Sequence, residues 1–144
     1  AASIRIRREL GRMSTRVYGG TEASEQRCVA LVLVDDDAGP CWVGSTHLPY
    51  ADATVRAGAC DRLVQLLWGL GPRWVVCGDF NRAAEAWVPP GWLVVPTPPV
   101  ATYPASVPTE AIDYGLVEGM AAEAEVLDSD ASDHLPVLIV TSRP

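Results

Sequence analysis

Apolar runs separated by polar, glycine-rich and proline-rich segments occupy most of the chain from residue 27 onward. The runs at 28–34 and 135–141 are almost continuously apolar and rich in valine and leucine, which predicts buried, central strands of a sheet. Shorter apolar runs and a loose alternation predict further strands at 3–8, 42–46, 92–95, 111–117 and 124–127, and one that begins at Trp74.

One segment has a helical period instead. Between residues 53 and 70, apolar residues recur three or four positions apart, at Val55, Ala59, Leu63, Leu66, Leu67 and Leu70. Asp52 is placed to cap this helix, and Gly71 with Pro72 to end it. A helix between the strand at 42–46 and the strand from Trp74 forms a β-α-β unit, so the predicted fold class is α/β.

The connecting segments are predicted from their turn-forming residues. Residues 35–40 contain three consecutive acids before a glycine and a proline, which predicts a turn between two strands. Three acids also suggest a metal loop, but the alternating ligands of a calcium loop are missing, so a solvated hairpin is favoured. A short helical turn is predicted at 82–87, and a proline-rich loop at 96–108.

Composition and charge narrow the class of protein. With 144 residues, of which 49% are hydrophobic and 20% charged, the chain is globular and large enough for one domain. The formal net charge of −7 argues against broad electrostatic attraction to nucleic acid. A bound metal would offset part of that charge at a phosphate site. No apolar run has the length needed to span a membrane.

The four cysteines do not form a CxxC pair, and no histidine lies at zinc-finger spacing from them. They are interpreted as small buried apolar residues. Cys28 and Cys41 would face each other in one pairing of their strands, so a disulfide between them is an alternative that the sequence leaves open.

The strand from Trp74 ends in polar residues. Because side chains alternate along a strand, an extended backbone through Phe80 would direct Asp79 and Asn81 to one side and Phe80 to the core. Gly78 would let a substrate approach the backbone there. The alternative is a strand that ends in an Asx turn, without further function.

Three other polar clusters end apolar segments: Ser45-Thr46-His47-Leu48, Ile112-Asp113-Tyr114 after Thr102-Tyr103-Pro104, and Ser132-Asp133-His134. In order and chemistry, these clusters and Gly78-Asp79-Phe80-Asn81 resemble the endonuclease/exonuclease/phosphatase superfamily. This is the metal-dependent phosphodiesterase fold of pancreatic-type deoxyribonucleases and abasic-site endonucleases. The resemblance extends from residue 27 to 141.

The resemblance implies an α+β fold, namely one sheet-and-helix half of a four-layer α/β sandwich with a mixed, mostly antiparallel sheet. Residues 27–144 would be the C-terminal half of the domain, and residues 1–26 an N-terminal remnant. The asparagine and the metal-binding glutamate of the family's first half have no match, because Glu9, Glu22 and Glu25 follow no apolar strand. We therefore expect the chain to be part of a longer domain.

The resemblance also implies roles for individual residues. Asp79 and Asn81 would position or activate the attacking water, while Asp113 would orient His134 towards the phosphoryl oxygens. His47 would bind phosphate or assist the leaving group. The metal ligands would be Asp133 and Asp79, and oxygen ligands beside a phosphate suit Mg²⁺ or Mn²⁺.

The expected function is a metal-dependent phosphoesterase, with a phosphodiester of nucleic acid as the favoured substrate. Two alternatives stay open: a lipid or inositol-phosphate phosphoesterase, and a non-catalytic half-domain without the metal-binding glutamate. A half-domain would expose an apolar sheet face. The expected partner is then the missing N-terminal half or a second copy of the chain.

Overall fold

The computed structural model describes residues 5–6, 16–18, 27–36 and 38–143. These residues form nine strands, one α-helix and a 3-10 turn at Ala84–Ala86. The elements are β1 (Arg5–Ile6), β2 (Arg16–Tyr18), β3 (Arg27–Asp36), β4 (Gly39–His47), α1 (Ala53–Trp68), β5 (Trp74–Asp79), β6 (Leu93–Val95), β7 (Asp113–Glu118), β8 (Ala121–Val126) and β9 (Val137–Ser142).

The main sheet is mixed and mostly antiparallel. Its strand order is β1-β3-β4-β5-β7-β6, and β2 also pairs with β3. β3 and β4 form an antiparallel hairpin, and β4 then runs parallel to β5 across α1. β7 lies antiparallel between β5 and β6. The predicted β-α-β unit and the predicted fold class are therefore confirmed.

Helix α1 covers one face of this sheet. The Asp52 carboxylate accepts hydrogen bonds from the backbone N–H groups of Thr54 and Val55, which confirms the predicted cap. The helix ends at Trp68, with Gly69 as its C-cap, two residues before the predicted stop at Gly71. Its buried side chains join those of the sheet in one core, which includes Ala59, Cys60, Leu63, Leu67, Val29, Leu31, Trp74, Val76, Phe80 and Leu116.

The opposite face of the main sheet contacts a second sheet, formed by β8 and β9. In the described part of the chain β9 pairs with β8 alone, so the prediction of a central strand at 135–141 is wrong. Ile139 packs towards the core, whereas Leu138 and Val140 are 49% and 59% exposed. The continuous apolar run thus reflects one buried face and one uncovered face.

The cysteines do not form a disulfide. β3 and β4 pair as expected, but their register places Cys41 opposite Val34, while Cys28 lies near the other end of the hairpin. All four cysteines are free, and the Cys41 thiol instead contacts the Met120 sulfur at 3.7 Å. A disulfide between Cys28 and Cys41 is therefore excluded by the register.

The hairpin between β3 and β4 is confirmed, but one of its acids is not simply solvated. Asp36 forms an ion pair with Arg73, with Oδ1 and one guanidinium nitrogen 2.8 Å apart. This contact lowers the pKa of Asp36 to about 2. Asp37 lies outside the described residues.

The strand predicted at 3–8 corresponds to β1, which pairs with β3. Glu9, Glu22 and Glu25 lie outside the described residues. No helix in the described ranges combines the length and apolar character that a membrane span requires.

Candidate active site

Three polar side chains lie side by side where strands of the main sheet end. His47 on β4 is opposite Asp79 on β5, and Asp79 is opposite Asp113 on β7. The β-α-β connection makes β4 and β5 parallel, which is why their carboxyl ends meet at one edge. His134, from the turn before β9, reaches the same place. These four residues, all proposed from the sequence, are therefore neighbours in space, and they are called the row below.

His134 is held by Asp113. Its Nδ1 lies 2.8 Å from Asp113 Oδ2, which leaves Nε2 to face Asp79 Oδ2 at 4.0 Å. Partial burial acts to lower the pKa of His134. The hydrogen bond to Asp113 and the negative charges of Asp113, Asp79 and Asp133 outweigh burial and raise this pKa above its ordinary value of 6.5. The Asp–His pair inferred from the resemblance is present.

Asp79 stands in the middle of the row. Burial raises the pKa of its carboxyl group, and the nearby charge of Asp113 raises it further. The Asn81 backbone N–H and the two histidines favour the charged form but do not cancel the shift. A positive charge between the carboxylates of Asp79 and Asp113 would therefore be stabilised.

His47 contacts Asp79 from the other side, with Nε2 3.3 Å from Asp79 Oδ2. Its Nδ1 lies 3.1 Å from a guanidinium nitrogen of Arg27. A guanidinium can only donate, so Nδ1 is the acceptor and Nε2 carries the proton towards Asp79. Arg27 and Asp79 thus contact the two ring nitrogens of His47.

Asn81 lies beside Asp79, but not through an extended backbone. β5 ends at Asp79, and Asn81 has a φ of +50°. The Asn81 N–H donates to Asp79 Oδ1 at 2.8 Å, which is the Asx turn of the alternative interpretation. The Asn81 side-chain amide donates to the Leu48 carbonyl at 2.9 Å and to Asp79 Oδ2 at 3.3 Å. The Asx turn is thus compatible with a contact between the side chains of Asn81 and Asp79. Phe80 is fully buried, as predicted.

Asp133 lies apart from this group. Its side chain is exposed and contacts the Ser132 hydroxyl at 3.3 Å. The described residues whose ligand atoms all lie within 4.8 Å of one another are Asp79, Asp113 and His134. The ligand role of Asp133 therefore stays a prediction, while the geometry suggests Asp113 and His134 as additional ligands.

Other aromatic and basic side chains make mostly structural contacts. Tyr50 is 70% exposed, and Arg82 donates to the Ala86 carbonyl at 3.0 Å. Trp87 packs on Phe80, and Trp92 packs between Trp68 and Trp74. Tyr103 is the exception, because its ring lies 4.6 Å from the ring of His134.

A solvent-open cavity of about 350 Å³ lies over the row. Its lining includes Cys77, Gly78, Asp79, Asp113, Ser132 and His134. Two carboxylates and an imidazole within 4.8 Å fit a divalent cation that accepts oxygen and nitrogen ligands. The cavity could therefore hold a metal ion together with a small anionic group.

In comparisons with known proteins, no family model and no curated protein matches the sequence. Solved structures do match. A Bacteroides thetaiotaomicron mannosyl-6-phosphatase has a TM-score of 0.70 at 19% identity, over 85% of this chain and 60% of that one. An endonuclease/exonuclease/phosphatase family protein from the same species has a TM-score of 0.69 at 17% identity, over 96% and 65%.

A third match is D. rerio TDP2 in complex with a single-strand DNA product, with a TM-score of 0.66 at 15% identity. The match covers 96% of this chain and 68% of TDP2. The chain thus spans 60–68% of the lengths of these three structures. It has the fold of the endonuclease/exonuclease/phosphatase superfamily, as the polar clusters predicted.

Proposed function

We propose that this chain is a metal-dependent phosphoesterase domain. The observation that supports the proposal is the cluster of Asp79, Asp113 and His134 in the lining of a cavity, where β5 ends and β7 begins. Two close carboxylates repel each other, and an imidazole directed into the cavity is suited to a phosphoryl oxygen or a proton.

Each residue of the row has a distinct role in this proposal. His134 donates from Nε2 to a phosphoryl oxygen or moves a proton there, while Asp113 holds its Nδ1. Asp79 orients the attacking water, and its raised pKa makes it a better base than an ordinary aspartate. His47 presents an Nε2–H to the phosphate or leaving group. Mg²⁺ or Mn²⁺, held by Asp79 with Asp133 or Asp113, would polarise the phosphate when bound.

The proposed substrate is a phosphodiester, with nucleic acid favoured. The TDP2 structure with a single-strand DNA product supports this choice. The net charge of −7 and the similarity to a mannosyl-6-phosphatase keep phosphomonoesters, and with them lipid and inositol phosphates, as alternatives. Fold similarity alone does not select among them.

Hydrolysis by the purified chain is the direct test. We expect Mg²⁺ or Mn²⁺ to produce cleavage of bis(4-nitrophenyl) phosphate or a single-stranded oligonucleotide, and a chelator to abolish it. A parallel assay with 4-nitrophenyl phosphate and an inositol phosphate distinguishes diesters from monoesters. Metal should also raise the melting temperature by mass action, less so in Asp79→Asn.

The matched variants distinguish the two ligand sets. If metal raises the melting temperature less in Asp133→Asn, the ligands are Asp79 and Asp133. If the rise is smaller only in Asp113→Asn, the ligands are those of the cluster of Asp79, Asp113 and His134. Asp61→Asn, on the exposed face of α1, serves as the control. If no substrate is cleaved and no metal shifts the melting temperature, the proposal is wrong.

The second candidate is a half-domain without turnover, and one observation favours it. Val32 and Val43 face each other on β3 and β4 and are 37% and 39% exposed. On β9, Leu138 and Val140 are exposed as well. Each pair is an exposed apolar patch of the kind that another chain or segment covers.

We therefore expect the chain to self-associate. Sedimentation should show dimers or larger species at high concentration, and Val43→Thr with Leu138→Thr should shift the population towards the monomer. A clean monomer that binds no hydrophobic dye would contradict this expectation.

A further inference from the structure

Thr102 belongs to a sequence cluster to which the proposed function assigns no role. It is fully buried, with 0% of its surface exposed, although it carries a hydroxyl group. A buried hydroxyl needs a hydrogen-bond partner, because an unsatisfied one costs free energy. Of the two acceptors within reach, the Glu110 carbonyl is 3.4 Å away, and the nearer one lies in the candidate active site.

The Thr102 hydroxyl lies 2.6 Å from Asp113 Oδ2. The same oxygen lies 2.8 Å from Nδ1 of His134. One carboxylate oxygen therefore accepts two hydrogen bonds, from a fixed hydroxyl on one side and from the imidazole on the other. Two donors at defined positions leave the carboxylate little freedom to rotate about its terminal bond.

The segment around Thr102 also holds the backbone on both sides of His134. The Leu135 N–H donates to the Thr102 carbonyl at 2.9 Å, and the Ala105 N–H donates to the Asp133 carbonyl at 2.7 Å. The ring of Tyr103 lies against the imidazole. The 102–105 segment thus contacts the turn before His134, its ring and the residue after it.

We propose that Thr102 is a positioning residue that fixes Asp113 and, through it, the tautomer and orientation of His134. Its hydroxyl donates to the carboxylate, so the carboxylate accepts the Nδ1 proton in one geometry and Nε2 is directed into the cavity. Thr102 has no exposed surface and does not touch substrate. The effect of Thr102 on catalysis rests on the proposed function. Its effect on the orientation of His134 does not.

Thr102→Val and Thr102→Ser test the proposal. Valine has the same shape without the hydroxyl, and serine retains the hydroxyl without the methyl group. NMR of the His134 ring nitrogens, at a pH at which the ring is neutral, should show a single Nδ1–H tautomer in the wild type and in Thr102→Ser. A mixture of tautomers is expected in Thr102→Val.

Kinetics provide the second measurement. For a phosphoester that the wild type cleaves, Thr102→Val should lower kcat by about tenfold to a hundredfold, as loss of an outer hydrogen-bond partner typically does. KM should stay unchanged, since substrate does not reach Thr102. Thr102→Ser should recover most of kcat, although both variants lose some packing or hydrogen bonding.

Thr46→Val is the matched control. Thr46 is also buried, at 6% exposure, but its hydroxyl donates to the Cys28 carbonyl at 3.0 Å. It should lose stability without a change in the His134 tautomer. Thr102→Val with one tautomer and unchanged kcat would overturn the proposal, and so would a tautomer mixture in Thr46→Val of equal size. A wild type that cleaves nothing and shows no metal-dependent melting shift refutes the proposed function, while the tautomer measurement still decides the role of Thr102.

Discussion

His134→Ala is expected to lower metal-dependent phosphoester hydrolysis by about 10²–10⁴-fold, the range typical of a general acid or base. The physical reason is the position of its ring. Nδ1 is occupied by Asp113, and Nε2 is the nitrogen that faces Asp79 and the cavity. No other described imidazole has both contacts, since Nδ1 of His47 faces Arg27.

The loss should not come from unfolding. His134 lies in the turn before β9, with 26% of its side chain exposed, so truncation opens no cavity in the core. The melting temperature of His134→Ala should therefore stay within a few degrees of the wild type. Steady-state kinetics with the best substrate of the panel, together with a thermal melt of each variant, measures both quantities.

Asp113→Asn tests whether Asp113 acts through His134. The amide cannot stabilise a charged imidazole as a carboxylate does, so this variant should also lose activity. Because Asp113 acts through His134, the double variant should be no slower than His134→Ala alone. Additive losses would show that Asp113 acts independently, for example as a metal ligand. His134→Ala that retains the full rate would remove this residue from the mechanism.

Local patterns predicted most of the architecture. The helical period between residues 53 and 70, the cap at Asp52 and the apolar runs each depend on neighbours in sequence, and all correspond to observed elements. The meeting of His47 with Asp79 was predictable for the same reason: a β-α-β unit makes two strands parallel, so residues at their ends become neighbours.

Features that depend on pairing register were harder to predict. Cys41 lies opposite Val34, not Cys28, and nothing local to either strand specifies that register. The apolar run of β9 would also fit a central strand of a sheet, yet among the described residues β9 pairs with β8 alone. Such choices depend on contacts between distant segments, which a single sequence does not reveal.

The role of Thr102 was missed for a related reason. Asp113 follows it by eleven positions, and Thr102 lies within the proline-rich loop at 96–108, so no helical or strand period links the two. A threonine two residues before a proline resembles any other turn residue. Its full burial with a 2.6 Å contact to a carboxylate distinguishes it, and both are tertiary facts.

Gly78→Ala is expected to destabilise the chain by at least about 3 kcal/mol, a large fraction of typical domain stability. Gly78 has a φ of +151°, where an L side chain is strained. A Cβ built there would lie 1.8 Å from the Thr46 carbonyl oxygen on β4. Glycine is therefore required by the close approach of β4. Gly78 also lines the cavity, so the suggestion that substrate approaches its backbone stays a prediction.

The consequence extends to the active site. Thr46 is opposite Gly78, and the next pair in the register is His47 with Asp79. Separating β4 from β5 to admit a methyl group would therefore move the two side chains that define one side of the row. Gly78→Ala should lose activity as well as stability, even at temperatures at which it remains folded. Chemical denaturation measures the first effect, and hydrolysis at low temperature the second.

Gly58→Ala is the matched control for this prediction. Gly58 lies inside α1, and a Cβ added there would meet nothing within 4 Å apart from its chain neighbours and the backbone of its own helix. Alanine is favoured over glycine in a helix by about 0.5–1 kcal/mol, so this variant should be slightly more stable than the wild type. Opposite signs at the two positions would show that the cost arises from the Thr46 carbonyl and the backbone at Gly78. If Gly78→Ala unfolds at the same denaturant concentration as the wild type, the close pairing of β4 and β5 at this position is wrong.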